Sequence, residues 1–481
     1  MASKHGVTII EQSTSVLAPT KATSGIPFAV GTSPVNLATA AVPVNTPVLA
    51  YTYAEAVAAL GYSDDWSHYT LSELIYSHFA LYEKAPLILV NVLDPATHKT
   101  TVTPAVVAVS NRVAILQAEG VLLSTLLVKS SDGASAYVPG TDYTAAFDDN
   151  GHVIITTKST GAIAANVSQL SIGYNKLDPD AVEADDVIGG VTQSGEYTGF
   201  ELVNQAYPRF GVLPDILLAP GWSHLPAIAA VMKAKAGNIN GNFKAMALTD
   251  IDPAQLYTAA GSWKSDNSYT SPLQIAAYPM LTLGDKQYHF STQLAGLIAA
   301  TDANNGGVPF VSPSNKTLQA DGTTLSDGTS LFLGIDQASF LNSSGIVTAV
   351  NLGTSGWKSW GNNTGAYPGV TDPKDSFIPV RRMFNWIGNS LIMTYMQKVD
   401  DPMNKRLIAA VTDSVNIWLN GLVASGALLG ARVDFNESEN PVTELMAGKI
   451  TFHLHITPPG PAQEISFLLE YDTTYLAALV A

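Results

Sequence analysis

Gly221-Trp222-Ser223-His224 follows an apolar run at 216–219, so a serine and a histidine stand together where a strand would turn into a helix. That placement suggests acyl transfer: an elbow exposes the serine, and a carboxylate such as Asp250 would complete a Ser/His/Asp arrangement. The second glycine of a GxSxG elbow is missing, because Leu225 occupies its place. Ser223 reads instead as the cap of a helix that has Pro226 at its start. Asp250, ahead of Ile251-Asp252-Pro253, reads as a loop-capping aspartate. His453 and His455 are two residues apart, so a strand would put both imidazoles on one face, as two metal ligands require. No third ligand is placed by the sequence, and no metal is expected. Five carboxylates crowd residues 178–186 (DPDAVEADD), which reads as a solvated acidic linker. Neither GxxxxGK[ST] nor GxGxxG occurs, so no recognised loop cradles a nucleotide. The chain has no cysteine, which excludes disulfides, thiolate metal centres and a thiol nucleophile together. No convergent active site emerges, and neither an enzyme nor a cofactor is expected.

The elements that carry these groups follow from composition and periodicity. The 481 residues hold 24 basic and 40 acidic side chains, a net charge of −16. Such a chain is a poor candidate for coating nucleic acid, where neutralising phosphates supplies most of the affinity. Charged residues make up 13% and hydrophobic ones 46%. That charge content is about half the usual share; it argues against disorder and for a surface covered by other subunits. No stretch approaches 18 uninterrupted apolar residues, so no membrane-spanning helix is expected. The start, Met-Ala-Ser-Lys-His-Gly, lacks the apolar run of a signal peptide, so a cytoplasmic beginning is expected.

Residues 1–24 read as an arm containing the β-rich stretch 6–12. Residues 25–94 alternate strand, helix and strand, and the run 87–92 (LILVNV) has the character of a strand buried on both faces. Residues 95–189 turn rich in Thr, Ser, Gly and Val with short alternating runs, as expected of a small β domain inserted into an α/β core. The α/β pattern returns over 190–365, which implies a mainly parallel sheet. In 366–472 the spacing predicts a helix over 380–399 and a second one capped by Asp401 with Pro402 at its first position. A hairpin is then expected, with Ile450, Phe452 and Leu454 returning as Ile465, Phe467 and Leu469 around Pro458-Pro459-Gly460-Pro461. Residues 473–481 remain as a second arm.

Six collinear segments resemble the contractile phage tail sheath proteins. They are Asp142-Tyr143-Thr144 with Gly151; 174–189 (YNKLDPDAVEADDVIG); 210–221 (FGVLPDILLAPG); 277–318 with its Ser312-Pro313-Ser314-Asn315 loop; Trp360-Gly361-Asn362-Asn363-Thr364; and 380–475, with VRRMFNWI, VDDP and GALLGARVDFNESEN. At 360–364 asparagine replaces the arginine of a WGNRT-like motif. The resemblance implies a subtilisin-like parallel-sheet core, an inserted outer domain and an α+β C-terminal domain facing a tail tube. It implies six-fold rings stacked into a cylinder that contracts to drive the tube through the host envelope for genome ejection. The implied partners are further copies, the tube, baseplate and tail terminator proteins, with no direct membrane or nucleic-acid contact. The implied place is the virion tail, assembled in the bacterial host cytoplasm. Two terminal strands, Val7, Thr8, Ile9 and Ile10 at one end and Tyr475, Leu476 and Ala477 at the other, are expected to add to the hairpins of neighbouring subunits. Arg381, Arg382, Lys398, Lys405 and Arg406 form a locally basic stretch and are candidates to face an acidic tube. A headless contractile particle, such as an R-type bacteriocin, fits the same residues; a soluble serine hydrolase acting through Ser223 is the alternative of another class.

Overall fold

A computed structural model describes residues 19–479, except the side chains at 477 and 478. At its centre lies an eight-stranded sheet. From edge to edge the strands are Trp357–Trp360, Ile346–Asn351, Gln274–Ala277, Met246–Asp250, Ile216–Leu218, Pro27–Gly31, Leu87–Asn91 and Val48–Ala50. The internal pairings are parallel, and the two edge strands run antiparallel to their neighbours. Successive side chains of a strand point to opposite faces, so a run such as LILVN must be covered twice. Leu87 and Leu89 enter one apolar cluster with Leu294 and Ile298 of helix Phe290–Asn304. Ile88 and Val90 enter another with Ile228 and Met232 of helix Pro226–Gly237.

Between the strands Leu87–Asn91 and Ile216–Leu218 the chain builds a separate six-stranded antiparallel sheet, from Lys99–Ser110 through Gln169–Leu177. It has its own core around Val128, Tyr143, Ile155, Leu170 and Ile172. The turn expected at 148–151 joins strands Tyr143–Phe147 and Val153–Thr157. Asp148 accepts from the backbone N–H of Asn150 and of His152, and Gly151 takes a φ of +79°, open to glycine at no steric cost. The acidic exit is partly tied down: Asp178 accepts from Thr100 Oγ1 at 2.6 Å, and His98 Nε2 lies 3.6 Å from Asp186.

The last third packs helices Ile378–Tyr395 and Lys405–Ala424 against a two-stranded antiparallel sheet, Gly430–Asp434 with His453–Thr457. Met383, Ile387, Val415, Leu419 and Val433 meet in one cluster. The second helix starts later than Asp401 and Pro402 suggest. Asn404 is its N-cap, accepting from the Leu407 N–H at 2.9 Å, while Asp400 at φ +69° bends the chain before it. By length and composition alone this helix is apolar enough to cross a membrane, a property that a search for uninterrupted runs does not register because Asp413, Asn416 and Asn420 interrupt it. It packs as an amphipathic helix, with Val415, Leu419 and Leu422 buried.

Residues 19–24 do not behave as part of a free arm. The Ala22 N–H donates to Ser390 Oγ at 2.9 Å, Trp386 Nε1 donates to the Ala22 carbonyl at 2.9 Å, and Ala22 is buried. The whole is a mixed α/β fold, mostly parallel in its main sheet, with antiparallel sheets beside it.

Candidate functional site

Ser223, His224 and Asp250 come together at the carboxyl ends of two parallel strands, where open α/β sheets bind ligands, beside a cavity of about 930 Å³. Their geometry is not that of a nucleophile. Ser223 Oγ donates to Asp250 Oδ2 at 2.8 Å, the Asp250 N–H donates back to Ser223 Oγ at 3.0 Å, and Ser223 is 0% exposed. Asp250 also accepts from the Ser291 N–H at 2.8 Å and from Ser291 Oγ. No imidazole stands between serine and carboxylate, although a general base on the hydroxyl proton is what activates a serine. His224 Nδ1 has no hydrogen-bond partner among the described residues, and burial lowers its pKa.

The carboxylate therefore satisfies an orphan N–H in the first turn of helix Phe290–Asn304, and Ser223 braces that carboxylate. This corrects the expectation of a serine cap on the next helix: the N-cap position of Pro226–Gly237 is Leu225, with no side-chain cap. The nearby His289 pairs with buried Glu73 at 2.7 Å; burial works against its charge, but the carboxylate prevails and raises its pKa to about 9. A fluorophosphonate probe is expected to leave Ser223 unlabelled. Ser223→Ala should cost about 1–3 kcal/mol in urea unfolding, because it removes a hydrogen bond to a buried charge; labelling at Ser223 would overturn this assignment.

The C-terminal sheet is arranged differently from the expected hairpin. Strand His453–Thr457 pairs with Gly430–Asp434, in the register Arg432 opposite His455, and not with 465–469. The linking segment is folded back by Asn440, which accepts from the Thr451 N–H at 2.7 Å and donates to its carbonyl at 2.8 Å. Leu454 packs with Phe452 against the C-terminal cluster, and Ile450 lines an apolar groove of about 640 Å³ beside Tyr395, Leu407 and Val411. That groove was not foreseen; the exposed Val399 and Met403 at its rim are the sequence signal for it.

Beyond Thr457 the proline-rich stretch has few N–H groups to offer a partner strand, and it leads the chain away. Gln463 Nε2 donates to Asn363 Oδ1 at 3.3 Å, tying the tail to the Trp360-to-Thr364 motif. Ile465, Phe467, Leu468 and Leu469 then stand 72%, 84%, 99% and 97% exposed. The two strands of the C-terminal sheet leave their outer edges without a strand partner among the described residues. Tyr475 and Leu476 lie in a 3-10 helix, Thr473–Leu479, and not in an extended arm; Ala477 shares that backbone. Val7, Thr8, Ile9 and Ile10 lie outside the described residues.

The basic stretch divides. Arg382, a candidate to face a tube, is 3% exposed and faces inward: Nη1 donates to Asp302 Oδ1 at 2.9 Å and Nη2 to Asp215 Oδ2 at 2.8 Å. Arg381 is also removed from that role. It pairs with Asp375 at 3.0 Å, donates to Asn385 at 3.1 Å and has only 11% of its side chain exposed. Position along the helix decides this for Arg382, which lies on the side turned to the core, while Arg381 lies at the border of that side and is taken up by Asp375 and Asn385. Lys398 is exposed and paired with Asp401 at 3.1 Å. Lys405 and Arg406 are exposed and make no ion pair among the described residues.

No family model matches the chain. The tail sheath protein of Burkholderia phage BcepMu is 29% identical to it over 486 residues, covering 99% of this chain and 98% of that one. The helical sheath of the anti-feeding prophage (AFP) in its contracted state, solved by cryo-EM, matches with a TM-score of 0.59 at 15% identity, over 98% of this chain and 100% of that one. A chain of the six-fold symmetrised AFP baseplate matches with a TM-score of 0.57 at 16% identity, over 98% and 100%. A phage relative that aligns from end to end, a shared sheath fold and a serine cluster locked away from substrate all have one reading: this chain belongs to the tail sheath protein family of contractile phage tails and related contractile injection systems, a structural and non-enzymatic family.

Proposed function

We propose that the chain polymerises as stacked six-fold rings around a tail tube and contracts to drive that tube through a host envelope for genome ejection, as part of the virion tail. The observation that carries this reading is the exposed alternation Ile465, Phe467, Leu469 on a chain whose C-terminal sheet has, among the described residues, two open edges. An alternating apolar strand gains nothing in water and gains both backbone pairing and burial when added to a sheet edge. The tail of one copy and residues 7–10 of another complete that sheet in a neighbour, so subunits stay tied together while moving as rigid bodies. The subtilisin-like core, residues 25–94 and 190–365, forms the body of the ring. The inserted sheet, 95–189, lies outermost, and 366–472 faces the tube. Baseplate and terminator proteins close the two ends of the cylinder. Contraction needs no nucleotide: a gain of about 1–2 kcal/mol per subunit, the scale of a few interface hydrogen bonds, accumulates over the many copies of a sheath.

Lys405 and Arg406 are the tube contacts in this reading. Cations in the first turn of a helix are disfavoured by the helix dipole, and they lack carboxylate partners within the described chain; an acidic tube surface supplies both remedies. In negative stain, the wild-type protein mixed with tail tubes is expected to form striated sheaths on them. Lys405→Glu with Arg406→Glu should leave hollow sheath polymers while reducing tube decoration at least about tenfold at low salt. Undiminished decoration at all salt concentrations would reject the assignment, and single particles at every protein concentration would reject the polymer.

A further inference from the structure

The two faces of the C-terminal sheet differ in chemistry. Leu454 and Ile456 turn inward with Ala431 and Val433. His453 and His455, with their cross-strand partners Asp434 and Arg432, occupy the opposite face. The two imidazoles stack with centroids 4.3 Å apart and planes 20° from parallel, and both side chains are substantially exposed. The charged groups around them are Glu439, 2.6 Å from His453 Nδ1; Asp434, 3.5 Å from His455 Nε2; and Arg432, whose Nε donates to Asp434 at 2.9 Å.

The tail has the same two-sided character. Period-two alternation that places Ile465, Phe467 and Leu469 on one side places Glu464, Ser466, Leu468 and Glu470 on the other. A tail seated at the open edge of His453–Thr457 with its apolar side toward the core must therefore carry Glu464 and Glu470 on the side of the stacked histidines.

We infer that this imidazole-bearing face is a recognition surface for the carboxylate side of residues 464–470 from a second copy of the chain. The inference rests on the strand addition proposed above and adds its selectivity and its control by pH. Histidine is the side chain whose charge ordinarily changes between pH 5 and 8, while glutamates remain ionised there. Among the described residues of the subunit the two stacked rings face the carboxylates of Glu439 and Asp434 alone, and the two incoming carboxylates add negative charge beside them. Groups that gain partners on assembly bind protons more tightly in the assembled state, so the contribution is present at low pH and lost as pH rises.

The test is the critical concentration for sheath polymerisation of the full chain, measured by sedimentation at pH 6 and pH 8. The wild type is expected to polymerise at about tenfold lower concentration at pH 6, the equivalent of one added proton-linked contact of about 1.4 kcal/mol. His453→Gln with His455→Gln should reduce that ratio to the residue left by the overall charge, as should Glu464→Gln with Glu470→Gln, and combining all four should add nothing further. Glu464→Lys with Glu470→Lys should invert the ratio. An unchanged ratio in both neutral pairs, or effects that simply add, would overturn the inference. A chain ending at Gln463 separates the two levels. If it polymerises normally, strand addition itself fails. If it does not polymerise while the histidine variants keep the wild-type ratio, only the recognition surface fails.

Discussion

Arg382→Met is expected to destabilise the folded chain by about 3–5 kcal/mol, the usual cost of removing one partner from a buried ion pair. The guanidinium is the only cation among the described residues within reach of Asp302, itself 1% exposed, and it bridges to Asp215, whose Oδ1 accepts from the Ile26 N–H at 2.8 Å. One side chain thereby ties helix Ile378–Tyr395 to helix Phe290–Asn304 and to the start of the central strand Pro27–Gly31. Burial pushes the Asp302 carboxyl up against the pull of Arg382, and the charge of Asp215 pushes the same way; without the guanidinium, the largest opposing influence is gone. The variant's Asp302 would then have a folded pKa above its unfolded one, so the deficit should be smallest near pH 4 and grow as pH rises toward 7. Combining Arg382→Met with Asp302→Asn removes the stranded charge and should recover part of the loss. Urea unfolding at pH 5 and pH 7.5 checks both statements. A single variant within 1 kcal/mol of wild type at pH 7.5 would show that the cluster is not a structural tie.

The same cluster shows where sequence reading stops. Asp302 and Asp215 lie 80 and 167 residues from Arg382, and nothing local to the helix marks which of two adjacent arginines turns inward. Elements defined by their own periodicity were legible. LILVNV is a doubly covered strand because its apolar run has no polar face to give to water, and Met383, Ile387 and Leu391 mark a helix face at four-residue steps. Pairing choices were not legible. The alternation at 465–469 is as clear as that at 450–456, yet the strand that joins His453–Thr457 is Gly430–Asp434, whose inward residues are only Ala431 and Val433. Local propensity records that a segment can be a strand; its partner is fixed by connector geometry, here by Asn440 and the proline-rich exit. Ser223 and Asp250 were read as two separate caps and not as chemistry; what the sequence did not show is that they bond to each other, because a hydrogen bond that activates a serine and one that braces a turn use the same side chains. Exposure and the position of the imidazole separate them.

Deleting residues 464–481 is expected to leave the folded subunit intact and to raise the critical concentration for polymerisation by more than about 100-fold. The first half of that expectation comes from exposure. Ile465, Phe467, Leu468, Leu469, Tyr471 and Tyr475 each keep most of their surface in water, and Gln463, the last of the described residues with a side-chain hydrogen bond to the body of the protein, is retained. Little is therefore lost from the monomer, and thermal unfolding of the dilute protein should shift by no more than a few degrees. The second half comes from what the segment can gain elsewhere. Each Leu, Ile or Phe side chain that passes from exposed to buried contributes roughly 1.5–3 kcal/mol, before backbone pairing at an otherwise unpaired sheet edge is counted. Ordering the segment costs conformational entropy, but less than for a free chain, since Gln463 and the prolines already restrict its start. A tenfold change in affinity corresponds to 1.4 kcal/mol, so retaining even one fully buried anchor's worth of net stabilisation per contact, repeated at each subunit, gives a large effect. Replacing Phe467 and Leu469 with Ser should reproduce most of the loss without shortening the chain, whereas replacing Ser466 with Thr should not. Sedimentation and negative stain at matched protein concentrations distinguish these outcomes; tubes of normal length from the shortened chain would mean that the subunits are held together by other surfaces.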